Sequence, residues 1–132
     1  MSPGGTPRPG RIGRRWSGGP MSGWGWLMGA IVAEVSATAA LRASDGLTRL
    51  GPVAVVIAGY ALAFALLSRS LTELPLGVAY AVWSGLGTAG AVAIGWALFG
   101  ERVGWHVVVG VGLVVAGISV LHLGALDPGP AR

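Results

Sequence analysis

Four long apolar segments, joined by short charged links, constrain the fold of this chain more than any other feature of its sequence. They span 24–41, 52–68, 74–100 and 103–123, and the only acidic residue inside them is Glu34. A helix needs roughly 20 apolar residues to cross a ~30 Å hydrocarbon core, within a range of about 17 to 25. A helix also pairs its own backbone polar groups, which lipid cannot do. The sequence therefore predicts an all-α integral membrane protein, a bundle of four transmembrane helices.

The composition excludes several classes of protein. Charged residues make up 11% of the chain, whereas water-soluble domains contain about 25%. With no cysteine, the chain has no disulfide, thiolate metal site or thiol nucleophile. No nucleophile–base pair or metal-ligand cluster is apparent, so we expect neither an enzyme nor a metal site. A basic balance of +4 is compatible with nucleic-acid binding, but the arginines form no recognition motif.

The chain divides into three parts. Residues 1–23 are rich in proline, glycine and arginine, which predicts a disordered basic tail. Residues 24–124 form the transmembrane domain, and 125–132 form a short C-terminal tail. Met21 offers an alternative start, because everything after it would still contain all four apolar segments.

The arginines predict the orientation in the membrane. The links between the four segments are short, so consecutive helices run antiparallel and both termini lie on the same side of the membrane. Six arginines belong to that side and three to the other, so we expect both termini in the cytoplasm. The six are Arg8, Arg11, Arg14, Arg15, Arg69 and Arg132, and the three are Arg42, Arg49 and Arg102. From a Met21 start the count becomes two against three, which predicts insertion in both orientations.

Glu34 is the residue that most suggests a function. It follows Trp24 by ten residues, which places it about 15 Å deep at 1.5 Å per residue. A charge at that depth costs on the order of 2.5 to 3.5 kcal/mol, and acids inside membranes usually mark ion or substrate pathways. The chain contains no lysine and no arginine at this depth, so a bound cation is the expected partner. The alternative is a protonated Glu34 that only hydrogen-bonds another helix.

Aromatic side chains favour a cation site near this carboxyl. Tyr80 and Trp83 share one face of the third segment, and Tyr60 lies in the second with Phe64 one turn further on. Aromatic faces attract cations. For any one of them, packing against lipid or protein is the alternative.

Two sets of glycines have different expected roles. Gly85 and Gly87 lie in mid-span, where they predict either a conformational hinge or close helix packing. Gly110 and Gly117, seven residues apart, predict a seam of small residues between helices. One four-helix subunit is too thin to enclose a solute path, so we interpret this seam as a dimer contact.

Three segments resemble those of the small multidrug resistance transporters. They are A-E-V around Glu34, S-D-G-L-T-R-L at 44–50 and P-L-G-V-A-Y-A-V-W-S-G-L-G at 75–87. The resemblance covers about residues 24–124.

This resemblance implies a bacterial, multi-pass protein of the cytoplasmic membrane that works as a dimer, often an antiparallel one. Two membrane carboxylates would form one shared site that exchanges protons for cationic substrates, with the proton gradient as energy source and no cofactor. Glu34 would bind both proton and cation. Lining residues would be Tyr60, Thr38, Tyr80, Trp83 and Trp24, the last standing where the drug-exporting branch often has tyrosine. Gly110 and Gly117 would form the dimer seam.

The subtype markers are mixed. The guanidinium-exporting branch typically has tryptophan where this chain has Ala37, whereas Thr38 and Tyr60 look more like the branch that exports quaternary ammonium compounds. The G-L-G-T-A-G-A run at 85–91 is similar to the guanidinium branch. The sequence therefore predicts a proton-coupled antiporter of lipophilic and quaternary ammonium cations. The alternatives are a guanidinium exporter and a non-transporting partner subunit of a heterodimeric pair.

Overall fold

Four long α-helices make up the part of the chain that the structure describes. The computed structural model describes residues 21–126, with side chains as far as Gly124. The helices are α1 (Gly23–Ala43), α2 (Leu50–Ser70), α3 (Leu76–Phe99) and α4 (Trp105–Leu126). Each has at least 21 residues, about 30 Å of helix, and each is apolar enough to cross a membrane. This confirms the predicted four-helix membrane bundle. Most of the predicted N-terminal tail (1–20) and the C-terminal residues 127–132 lie outside the described residues.

The start of α1 is fixed by hydrogen bonds. Ser22 caps the helix, and its hydroxyl accepts a bond from the Gly25 N–H at 3.3 Å. The Gly23 N–H donates to Glu73 Oε2 at 2.6 Å. Because Glu73 lies in the link between α2 and α3, its carboxylate satisfies an orphan donor of α1 and ties the start of that helix to this link.

The link between α1 and α2 is a tight turn in which consecutive residues adopt left-handed backbone. Asp45, Gly46 and Leu47 have φ angles of 51°, 68° and 69°. The buried Ser44 hydroxyl holds the turn, accepting from the Leu47 N–H at 3.0 Å and donating to the Leu41 carbonyl at 2.7 Å. This turn brings α2 back antiparallel to α1.

The protein core lies where α1 packs against α2 and α3. Small residues let α1 and α2 approach closely: a methyl group added at Gly59 would lie 2.8 Å from Ala37 Cβ. Ala37 is fully buried at this contact. The buried apolar cluster of the core consists of Leu27, Ala30, Ile31, Val35, Leu67, Ala79 and Val82.

Helix α4 packs mainly on α3 and leaves most of its surface open. In the span Trp105–Gly124, no residue of the most apolar stretch is buried by the rest of the chain. A methyl group added at Gly110 or Gly117 would meet nothing within 4 Å. The predicted small-residue seam is therefore an open face in a single chain, available to lipid or to a second protein.

The mid-span glycines of α3 are packing positions in this structure. A methyl group at Gly85 would overlap the Ile118 side chain of α4, and α3 runs through this region as one continuous helix. Gly85 therefore packs closely against α4. A hinge at Gly85 and Gly87 stays a prediction.

Candidate functional site

Glu34 lies at the centre of α1 and faces α3. It is partly buried. Its carboxylate lies directly against the backbone of Gly87, where an added methyl group would come within 2.8 Å of Oε2. Only a residue without a side chain allows this approach. The structure therefore brings Glu34 and Gly87 together, and Gly87 provides the space in which the carboxylate sits.

Trp83 lies beside the same carboxylate. It precedes Gly87 by one helical turn, and its indole N–H is close to the Glu34 side chain. Its Nε1 is buried, yet it has no hydrogen-bond partner of regular geometry among the described residues. A buried N–H donor normally has a partner. This one is available to the carboxylate or to a molecule bound next to it.

Trp83 and two neighbouring aromatic rings form a wall. The Phe64 ring of α2 lies 5.8 Å away at an interplanar angle of 75°. The Tyr80 ring lies 5.9 Å away at 71°. Both are edge-to-face arrangements, which aromatic pairs prefer. The structure thus joins Tyr80 and Trp83, which the sequence places on one face, to Phe64 from the neighbouring helix.

Thr38 and Tyr60 form a hydrogen bond across the α1–α2 contact. The Thr38 hydroxyl donates to the Glu34 carbonyl at 2.9 Å and lies 2.9 Å from the Tyr60 hydroxyl. A threonine hydroxyl has one proton to donate. With that proton on the Glu34 carbonyl, Tyr60 must be the donor to Thr38. The Tyr60 hydroxyl is thereby held against Thr38, which lies one turn along α1 from Glu34.

We expect this hydrogen bond to position Tyr60 for binding. Thr38→Val and Tyr60→Phe should each weaken cation binding by roughly threefold to tenfold, since a net hydrogen bond is worth about 0.5 to 1.5 kcal/mol. Residues that act through one bond are non-additive, so the double variant should bind about as well as either single variant. Binding of tetraphenylphosphonium to the detergent-solubilised variants measures this. Additive losses would show that the two hydroxyls act separately.

Trp24 is not near Glu34 within one chain. Its ring packs edge-to-face on His122 of α4, with centroids 5.3 Å apart. Both line a cavity of about 380 Å³ together with Val82, Ile118 and Ser119. The predicted binding role of Trp24 stays a prediction, and in this structure its neighbours belong to a separate cavity.

Glu34 has no basic partner in the part of the chain that the structure describes. The one ion pair found there joins Arg42 to Glu101, with Nε and Oε1 3.8 Å apart. The same residues contain no group of three or more His, Asp or Glu side chains that could hold a metal ion. The arrangement at Glu34 is a lone acid with an aromatic wall, which suits an organic cation.

Comparison with known proteins identifies the class. Residues 22–114 match the family of the Small Multidrug Resistance protein. The chain belongs to the small multidrug resistance family.

Its relatives are bacterial resistance and export proteins. Quaternary ammonium compound-resistance protein QacE of Escherichia coli is 53% identical over 103 residues, covering 78% of this chain and 94% of that protein. Multidrug resistance protein EbrB of Bacillus atrophaeus is 45% identical, covering 77% and 87%. Nicotine metabolites export pump subunit NepA of Paenarthrobacter nicotinovorans is 42% identical, covering 87% and 96%. These matches support multidrug efflux by a multi-pass membrane protein.

Proposed function

We propose that this protein is a proton-coupled antiporter that exports lipophilic and quaternary ammonium cations across the cytoplasmic membrane. The observation that carries the proposal is Glu34, a carboxyl at the middle of a membrane helix with no basic partner among residues 21–126. A neutral acid is tolerated in an apolar surrounding far better than a carboxylate. The Glu34 carboxyl therefore holds a proton until an organic cation arrives. The proton then leaves, and the cation neutralises the carboxylate.

Competition for one carboxyl explains coupling without a cofactor. A proton and a cation cannot both neutralise the same charge, so binding of one releases the other. If the protein exposes this site alternately to the two sides of the membrane, the proton gradient drives the cation outward. The linkage is reciprocal: each ligand weakens the binding of the other by the same factor.

The surroundings of Glu34 favour bulky, lipophilic cations. Trp83 packs with Tyr80 and Phe64 in an aromatic wall, and such faces stabilise poorly hydrated cations. Ala37 is buried against Gly59, so the position that typically holds tryptophan in the guanidinium-exporting branch is used here for helix packing. The names of the relatives QacE and EbrB refer to quaternary ammonium compounds and to multidrug resistance.

We further propose that two chains share the site, with α4 as the contact. Gly110 and Gly117 form an open small-residue seam on a helix that stays largely uncovered within one chain. Small residues let transmembrane helices approach closely. A homodimer, parallel or antiparallel, uses this seam. A heterodimer with a second family member is the alternative, since the relative NepA is named a pump subunit.

A cysteine at the seam tests the dimer. The chain has no native cysteine, so in Gly117→Cys any disulfide joins two chains. We expect oxidation in the membrane to yield a covalent dimer in most of the protein. Val115→Cys, about 160° away around the same helix, is the matched control and should stay monomeric on a denaturing gel. Equal cross-linking of both variants would contradict a specific seam.

Expression of the chain alone tests the proposed activity. In a drug-sensitive host we expect resistance to quaternary ammonium compounds, and in vesicles we expect uptake of tetraphenylphosphonium driven by a proton gradient. Gradient-driven transport of guanidinium but not of tetraphenylphosphonium would favour the guanidinium alternative. No resistance and no uptake, recovered by coexpression of a second family member, would favour the partner-subunit alternative.

A further inference from the structure

A second cleft leads away from the Glu34 region toward the membrane surface. It lies between α1 and α3, has a volume of about 200 Å³, and reaches from Val35 and Thr38 to Glu101. Thr38 and Arg42 follow Glu34 at successive intervals of four residues, so all three lie on one side of α1. Glu34 itself does not line the cleft, which begins beside it at Val35 and Thr38 and continues along α1 to Arg42.

A cation of the protein itself occupies the mouth of this cleft. The Arg42 guanidinium carbon lies 5.6 Å from the centroid of the Phe99 ring. Its Nε lies 3.8 Å from Glu101 Oε1. An aromatic face and a carboxylate together form the type of surroundings that organic cations prefer. The position of Arg42 indicates that this place accepts a delocalised positive charge.

Glu101 is held in place by Gly95 of α3. Its backbone N–H donates to the Gly95 carbonyl at 3.0 Å. Its carboxylate folds back over the same residue, where an added methyl group would lie 2.5 Å from Oε2. Gly95 is buried under this contact. The carboxylate is thus positioned at the cleft by the backbone rather than by Arg42 alone.

The Arg42 guanidinium is easily displaced from this position. The side chains of Arg42 and Glu101 are 66% and 55% exposed, and their contact is long. Ion pairs this exposed contribute little to stability. Arg42 can therefore turn into solvent and leave the ring and the carboxylate to another cation without disturbing the fold.

We propose that Phe99 and Glu101 form an outer site for organic cations, which Arg42 occupies when no ligand is bound. A lipophilic cation displaces the guanidinium, lies on the Phe99 ring and then has access to the cleft. Arg42 follows Glu34 by eight residues, so the outer site is roughly 12 Å from the inner one along the helix. The choice of ligand rests on the proposed function, whereas the site itself rests on the Arg42 geometry.

Binding measurements in a Glu34→Gln background isolate this site. The probe is radiolabelled tetraphenylphosphonium, bound to the full-length protein in detergent. Adding Arg42→Gln to Glu34→Gln should strengthen binding at least about threefold, because the competing guanidinium is removed. Adding Glu101→Gln to that double variant should then weaken binding by roughly tenfold, and Phe99→Leu should also weaken it.

Asp45→Asn is the matched control for Glu101→Gln, since it removes the same charge from an exposed link on the same side of the membrane. It should change binding by less than about twofold. The outer site would be overturned if Asp45→Asn weakened binding as much as Glu101→Gln does. It would also be overturned if Arg42→Gln did not strengthen binding. If Glu101→Gln does not assemble, Phe99→Leu decides the same point. These results do not depend on Glu34, so loss of the outer site leaves the proposed antiport standing, and the reverse also holds.

Discussion

Glu34→Gln is expected to abolish proton-driven uptake of cations while the protein still inserts into the membrane. Glutamine keeps the size of the side chain and its capacity to hydrogen-bond, but it can neither release a proton nor neutralise a cation. Truncating one partner of a buried charge pair costs about 2 to 5 kcal/mol. Cation affinity should therefore fall by roughly thirtyfold or more, and uptake should become independent of the proton gradient. Uptake of tetraphenylphosphonium into vesicles, with and without an imposed gradient, measures both effects.

Asp45→Asn provides the matched control for this experiment. It removes one carboxylate from the exposed turn between α1 and α2, so it changes the net charge by the same amount without touching the site. We expect its uptake to equal that of the unaltered protein. If Glu34→Gln kept gradient-driven uptake at the level of this control, the proposed mechanism would be wrong.

Gly87→Ala is expected to impair cation binding without weakening the fold. The added methyl group would lie 2.8 Å from Glu34 Oε2, so the carboxylate must move away from α3 and from the Trp83 indole. Displacing the charged group should weaken binding by roughly tenfold, about 1.4 kcal/mol. Alanine is the better helix former by about 1 kcal/mol, so unfolding of the helix itself should become no easier. Tetraphenylphosphonium binding and the thermal unfolding midpoint in detergent measure the two effects separately.

Gly77→Ala is the matched control, a glycine-to-alanine change in α3 that adds no steric contact. Gly77 lies in the same helix, and an added methyl group there meets nothing within 4 Å. Tetraphenylphosphonium binding by Gly77→Ala should equal that of the unaltered protein. Equal losses in both variants would contradict a steric effect confined to the space around Glu34.

The sequence predicts the fold of the described residues, 21–126, almost completely. Apolar length alone defines the helices, because lipid permits few other backbone structures. The first predicted segment begins at residue 24, and α1 begins at Gly23. The fourth is predicted to end at residue 123, and α4 continues to Leu126. These differences of one to three residues are usual at helix ends.

The site is only partly predictable from the sequence. Glu34 stands out because an acid is costly in lipid, and Tyr80 and Trp83 share a face by their spacing alone. The contact of Gly87 with the carboxylate depends on how α1 and α3 pack together, which helical periodicity within one segment cannot reveal. The same holds for the Thr38–Tyr60 hydrogen bond and for the Trp24–His122 contact.

Proton release on cation binding tests the central claim most directly. The protein is solubilised in weakly buffered detergent, tetraphenylphosphonium is added, and the change in pH is recorded. We predict release of protons that saturates with the cation and is absent in Glu34→Gln. Asp45→Asn should release protons as the unaltered protein does. Cation binding without proton release, or equal release from Glu34→Gln, would contradict the exchange of proton and cation at Glu34.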